Sequence, residues 1–317
     1  MSSRNIIVDR IKFIGYNVDG MFLKMRLGMQ YFFLILIALM WSFTGTLVKI
    51  ASQMVDSQMI TFCRFFFGVI FLLIIILARK EKVNFYWRDK WIWIGVLAKS
   101  SHYLLENIAM VIGFVYLSVL VLPVQALYLT IVSIFFFKEE MHTVKVIGSV
   151  VCLIGIGLVS WNGLSVEQIM KANVVPIILY SIAAIGAGTH AISQKKLIIK
   201  MDSANFNISI FIICSIVTAI PAFSNFHLKG NITIWAVSSL IALGLTTGLT
   251  FFLYANILKK VPFLVASFMV NLSCLFIILW SHLFFHEPIS YVTFLGAISF
   301  LIGLVLLNLP KRKLSIE

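Results

Sequence analysis

Long apolar runs broken by short polar ones dominate the chain. Runs of about twenty residues fall at about 29–49, 57–79, 90–112, 115–136, 143–161, 174–194, 203–223, 234–257, 262–284 and 289–309. At 1.5 Å rise per residue, a run of that length crosses the roughly 30 Å of bilayer hydrocarbon as a helix. A helix satisfies its own backbone polar groups in lipid, so no strand pairing is required. The pattern therefore predicts an all-α, polytopic membrane protein with ten transmembrane helices. The connections are short, and consecutive helices are expected to pack as neighbours.

Basic residues test the count, because cytoplasmic loops collect Lys and Arg. With the N-terminus inside, the inner segments hold 20 of the 25 basic residues, in clusters at 4–26, 79–90, 138–145, 195–200, 259–260 and 311–313. The outer loops hold only Lys171 and Lys229, while Lys49, Arg64 and Lys99 lie within helices or at their ends. One helix more or fewer would move the later clusters to the wrong side. Both termini are thus expected to be cytoplasmic.

Composition agrees. Of 317 residues 61% are hydrophobic and 12% charged, with mean hydropathy +1.03, far from the make-up of a soluble domain. A net charge of +13 would point to nucleic acid in a soluble protein, but here it resides in the inner loops, so the bilayer is the expected partner and nucleic acid is not. Residues 1–26 contain no apolar stretch able to act as a signal peptide, which leaves the first helix as the expected insertion signal. Cys63, Cys152, Cys214 and Cys274 all fall in apolar runs without metal-ligand or redox spacing. No metal or cofactor is expected.

The chain also repeats itself. Segment 136–160, FFKEEMHTVKVIGSVVCLIGIGLVS, aligns without gaps to 284–308, FFHEPISYVTFLGAISFLIGLVLLN, at a shift of 148. Among the identities are Glu139/Glu287, Gly148/Gly296 and Gly155/Gly303. Five helices per unit is an odd number, so the second unit must enter the membrane upside down relative to the first. Inverted repeats of this kind build many carriers, with the solute near the midplane between the halves. The predicted organisation is a cytoplasmic segment 1–28, a first repeat 29–161, an outer linker 162–173, a second repeat 174–309 and a cytoplasmic tail 310–317.

ALMWSFTGTLVKIA (38–51), the Arg of TFCRFFFG (61–68) and the closing unit FxxE–x8–G–x6–G in each half resemble the drug/metabolite transporter superfamily, of the EamA type. The resemblance covers about residues 29–309. It implies a ten-helix carrier in a bacterial inner membrane, moving a small solute such as an amino acid or related metabolite through a central cavity lined by both halves. An exporter or flippase of drug-like or lipid-linked molecules is the alternative the same fold allows. No HExxH, GxSxG, EExxxR or pair of intramembrane Asp residues occurs, and an enzyme is not expected.

Charge inside the membrane costs about 2.5–3.5 kcal/mol per residue on insertion scales, so each such side chain needs a partner or a polar cavity. The first repeat carries Lys49, Arg64, Lys99 and Glu106 within its spans, and the second carries none. Arg64 and Glu106 lie at similar depth, roughly 10 Å below the outer surface, which makes an ion pair between them the expectation, either as a gate or as glue between helices. Lys99, His102 and Glu106, spaced i, i+3, i+7, share one helical face. Lys99 near the midplane is the candidate anchor for a carboxylate or phosphate of the solute; the alternative is a lysine that pairs with Glu106 two turns away or snorkels along the cavity. Histidine as a side chain ordinarily titrates near neutral pH, so His102 and His190 within the spans are either hydrogen-bonding core residues or proton relays, and H+ is accordingly a candidate coupling ion. Trp41, Tyr103, Gln125, Tyr128, Tyr254, Asn271 and Trp280 complete the candidate cavity lining, with Asn107 as a further amide. Pro123 and Asn271 are equivalent under the 148-residue shift, and a kink is expected at Pro123. Glu139 and Glu287 are expected to tie helix ends to neighbouring backbone, and Gly244 with Gly248 to allow close helix approach.

Overall fold

The computed structural model describes residues 28–137, 143–224, 226–257, 261, 266 and 269–309. Glu139 lies outside them. The described residues form helices and connections and contain no strand. In chain order the helices are α1 (Gly28–Ala51), α2 (Ser57–Ala78), α3 (Lys90–Ile112), α4 (Val121–Phe137), α5 (Thr143–Trp161), α6 (Val166–Ala172), α7 (Val174–Leu197), α8 (Ser203–Ser224), α9 (Ile234–Ile257), α10 (Met269–Phe285) and α11 (Tyr291–Asn308). Seven apolar segments have the length and composition to span a bilayer: α1, α2, α5, α7, α8, α9 and the stretch Val115–Phe135. Helix α3 is as long, at 23 residues, but carries Lys99 and Glu106. The short α6 is not foreshadowed by the hydropathy pattern. It is held by a capping box in which Ser165 and Gln168 exchange side-chain and backbone bonds, a local device of polar residues.

Polar side chains start several helices where the apolar pattern only bounds them. The Asp56 side chain accepts the Met59 amide at 2.8 Å, Asp89 accepts that of Trp91 at 2.9 Å, and Ser290 accepts that of Val292 at 3.2 Å. Each satisfies one donor that the helix cannot. Asp89 also accepts from Lys200 Nζ at 2.8 Å, and that lysine, followed by the Trp91 amide, holds its carboxyl below the usual carboxylate range.

Pro123 lies in the first turn of α4 rather than in its interior. Residues Val115–Leu120 form a 3-10 turn that leads into α4, and Pro123, lacking a donor, follows directly on the switch to α geometry. The equivalent region of the second repeat is irregular too, with the Leu275 amide donating to Leu272 O at 3.1 Å, an i to i+3 bond beside Asn271.

Lipid supplies no hydrophobic force between helices, so they associate through close packing and polar contacts. Helices α5 and α11, the closing helices of the two repeats, show this most clearly. A Cβ on Gly148 would meet Gly303 O at 3.0 Å, and one on Gly155 would meet Gly296 O at 2.7 Å. Since Gly148 is equivalent to Gly296 and Gly155 to Gly303, these two contacts are one contact repeated by a pseudo-twofold axis. Cys152 and Phe300, also 148 apart, meet between them, the thiol 3.9 Å from the Phe300 carbonyl. Helix α9 approaches α2 the same way: a Cβ on Gly248 would stand 2.6 Å from Gly68 O.

Chain connections join the repeats at opposite ends of the bundle. At one end the Asn84 and Tyr86 amides donate to Asn205 Oδ1 and Ser209 Oγ on α8, at 2.8 and 2.9 Å. At the other, the Lys229 amide donates to Met54 O at 3.0 Å. Outward faces are mostly aliphatic or aromatic. On α3, Trp93, Leu97 and Ile112 are exposed while Lys99, His102 and Tyr103 are buried.

Gly303→Leu forces atoms into the Cys152 backbone, where a Cβ would already stand 2.7 Å from the amide nitrogen, and is expected to cost about 1–3 kcal/mol or more. A Cβ on Gly157 would meet nothing within 4 Å, so Gly157→Leu is expected to leave the melting temperature of the detergent-solubilised protein unchanged while Gly303→Leu lowers it.

Candidate functional site

Helix α3 presents its polar face to the interior, and the charges of the first repeat meet there. Arg64 on α2 is 3% exposed and donates through Nη1 to Asn107 Oδ1 at 2.8 Å and to Glu106 Oε2 at 3.3 Å. Its guanidinium lies 3.5 Å from the centroid of the Tyr103 ring. Asn107 is itself fixed, donating to Thr61 Oγ1 at 2.8 Å. The tighter of the two Arg64 contacts is thus with a neutral amide on the same helix as the carboxylate, and the set clamps α2 to α3. The other carboxylate oxygen of Glu106 faces His102 Nε2 at 3.7 Å, outside hydrogen-bond reach.

Lys99 is 2% exposed, and among the described residues no carboxylate lies within ion-pair distance of its Nζ. Its neighbours are His102 Nδ1 at 3.4 Å and two aromatic faces, with ring centroids of Tyr103 at 4.0 Å and Phe251 at 4.1 Å. Aromatic faces attract a cation through their quadrupole. They do not neutralise it. Two cations and one carboxylate therefore share the cluster.

The second repeat supplies neutral groups around it. His190 on α7 is 2% exposed, neither ring nitrogen finds a hydrogen-bond partner among the described residues, and its ring stands edge-on to Phe251 with centroids 6.1 Å apart. Phe251 on α9 also contacts Trp41 of α1 at 5.5 Å, and Trp41 contacts Tyr254 at 5.6 Å. The Trp41 indole donates to Thr250 Oγ1 at 2.7 Å. Lys99, His102, Tyr103, Trp41, Tyr254 and His190 are thus parts of one assembly with Phe251 at its centre. Phe251 is one of 28 phenylalanines, and nothing in the sequence distinguishes it.

Other candidates have contacts of their own. Trp280 on α10 donates to Ser42 Oγ at 2.8 Å and stacks on Phe43 at 4.5 Å, binding α10 to the irregular turn of α1. The Tyr128 hydroxyl meets Thr189 Oγ1 at 2.9 Å, joining α4 to α7. Gln125 is half-buried on α4 and Asn271 buried on α10.

At the far end of α3 the charges serve the backbone. Lys49 Nζ donates to the carbonyls of Met110 and Gly113 at 3.0 and 2.7 Å, the negative end of the helix. Glu287, 4% exposed, accepts the Val115 and Tyr116 amides at 2.7 and 3.1 Å, so a residue of the second repeat caps the next helix of the first. The sequence pattern points to this kind of tie for Glu287 but says nothing of Lys49 beyond its place near a helix end.

An apolar outer surface, interdigitated repeats and a buried polar cluster where they meet are features of a polytopic integral membrane protein. The model of the EamA-like transporter family matches residues 28–161 and 175–309, one copy for each repeat, and the chain belongs to that family. An uncharacterized transporter of Haemophilus influenzae is 22% identical over 297 residues, covering 90% of this chain and 96% of that protein. A probable 4-amino-4-deoxy-L-arabinose-phosphoundecaprenol flippase subunit, ArnE of Aeromonas salmonicida, is 37% identical over 74 residues, 23% of this chain. The match spans only 61% of that subunit's length. A solved crystal structure superposes with TM-score 0.65 at 14% identity, covering 88% of this chain and 97% of its own, a likeness of fold.

Breaking a buried pair by removing one partner leaves an uncompensated charge and costs about 3–5 kcal/mol. Glu106→Gln is expected to destabilise the detergent-solubilised protein by about that much, whereas adding Arg64→Gln to it restores part of the loss, as read by chemical denaturation.

Proposed function

We propose that the protein is a secondary active transporter of a small polar metabolite bearing an anionic group, working by alternating access of its two repeats around the Lys99 site. The observation that carries this reading is the buried Lys99 ammonium, which has aromatic faces and a histidine around it and, among the described residues, no carboxylate within ion-pair distance. A substrate carboxylate or phosphate supplies the missing charge. His190, with both ring nitrogens unpartnered, gives the second repeat a polar group against the same Phe251 ring, so that a bound solute touches both halves. In this reading ten helices span a bacterial inner membrane with both termini cytoplasmic, and proton movement through His102 or His190 is a route for coupling.

A second reading, a flippase of lipid-linked molecules, is favoured by the 74-residue likeness to the Aeromonas subunit. The two readings differ in what crosses the bilayer. Purified protein in proteoliposomes is expected to catalyse counterflow of radiolabelled organic anions, and Lys99→Gln to abolish it while inserting and melting normally. Full uptake by Lys99→Gln, or movement of labelled lipid without solute counterflow, contradicts the carrier reading.

A further inference from the structure

Given the carrier reading, on which the inference rests, the charge count and the aromatic neighbours of the same site narrow the solute. Arg64 is paired in charge: Asn107 and Glu106 take its Nη1 and Tyr103 covers its face, while its Nε is buried without a hydrogen-bond partner among the described residues. Glu106 in turn faces Arg64 and His102. That leaves one cation, Lys99, to be neutralised, and no further carboxylate among the described residues of the cluster to receive a cation from the solute. Other acidic residues among those described, such as Glu287 and Asp89, sit in connections or at helix ends.

From Lys99 the walls are aromatic. Phe251 stands against its ammonium, and Trp41 and Tyr254 continue the surface across the repeat boundary. These three rings are only partly buried, unlike Lys99 itself. The Trp41 indole N–H is consumed by Thr250, so the Tyr254 hydroxyl is the polar group this wall retains, and the rest of it presents rings.

We infer that the transported solute is an amphipathic monocarboxylate without an ammonium group: one carboxylate on Lys99, steadied by the unpartnered His190, and an apolar or aromatic body against Phe251, Trp41 and Tyr254. An amino acid would bring its ammonium beside Lys99 and Arg64 with no counter-charge. A dianion would bury a second charge with no unpaired cation left to meet it, and a hydroxyl-rich acid would leave most of its hydroxyls unpaired against rings. Each mismatch buries an unsatisfied polar or charged group.

The test uses the full chain and a matched series: 3-phenylpropanoate; phenylalanine, which adds an ammonium; phenylsuccinate, which adds a second carboxylate; 3-phenylpropanamide, which removes the charge; and gluconate, which replaces the apolar body with hydroxyls. Ligands that bind the folded state raise its melting temperature. The expected result is stabilisation and counterflow with 3-phenylpropanoate, and binding weaker by about ten- to a hundredfold for the other four. Lys99→Gln is expected to lose the response to 3-phenylpropanoate and Lys99→Arg to keep part of it. If Lys99→Gln does not fold, the selectivity of the wild-type protein decides alone. Equal binding of phenylalanine, phenylsuccinate, the amide or gluconate overturns the inference, and so does the absence of any response to 3-phenylpropanoate. Counterflow of a different anion in that last case would leave the carrier reading standing, whereas lipid movement with no solute counterflow would remove both.

Discussion

A lysine ammonium in hydrocarbon needs either water or an anion, and Lys99 has neither appreciable exposure nor, among the described residues, a carboxylate beside it. Its position constrains the rest of the bundle. Helix α3 must turn one face inward along Lys99, His102 and Glu106, and it therefore presents Trp93, Leu97 and Ile112 outward. Helix α2 must bring Arg64 to the same face to meet Glu106, and α7 and α9 must cover Lys99 with His190 and Phe251. The contacts that seal the cluster come from both repeats, although every charge described in it comes from the first.

That asymmetry sits on a symmetric frame. The glycine contacts between α5 and α11 repeat themselves about Cys152 and Phe300, which is what an inverted duplication requires of its closing helices. The two repeats then diverge in their polar contents. One holds the ionic cluster, and the other contributes rings, hydroxyls and a neutral imidazole-bearing helix. In a carrier that rocks one half against the other, a solute anchored to the first repeat and covered by the second feels the motion at its apolar end.

Much of this is legible in the sequence because lipid simplifies the rules. Long apolar runs have one viable structure, and the 148-residue shift exposes the glycines that pack α5 against α11. Counting depth puts Arg64 and Glu106 at one level, and their side chains lie 3.3 Å apart. Which neutral residue meets which charge is not legible. Asn107, a lining candidate by its residue type, is instead the clamp on Arg64. Phe251 is invisible among similar residues, Lys49 reads only as a residue near a helix end, and the tie from Trp280 on α10 to Ser42 on α1 leaves no mark in the pattern. Packing of long helices fixes these partnerships, and periodicity along a single helix carries no information about the residue across the gap.

The distance between Lys99 Nζ and the carboxylate carbon of a bound solute tests the anchoring role of Lys99 most directly. Solid-state NMR on protein labelled with 15N at lysine, in lipid and saturated with the 13C-carboxyl form of the anion giving the strongest counterflow, measures it. A dipolar contact at about 4 Å is expected, lost in Lys99→Gln. A bound carboxylate coupled to another residue, with Lys99 silent, would contradict that role.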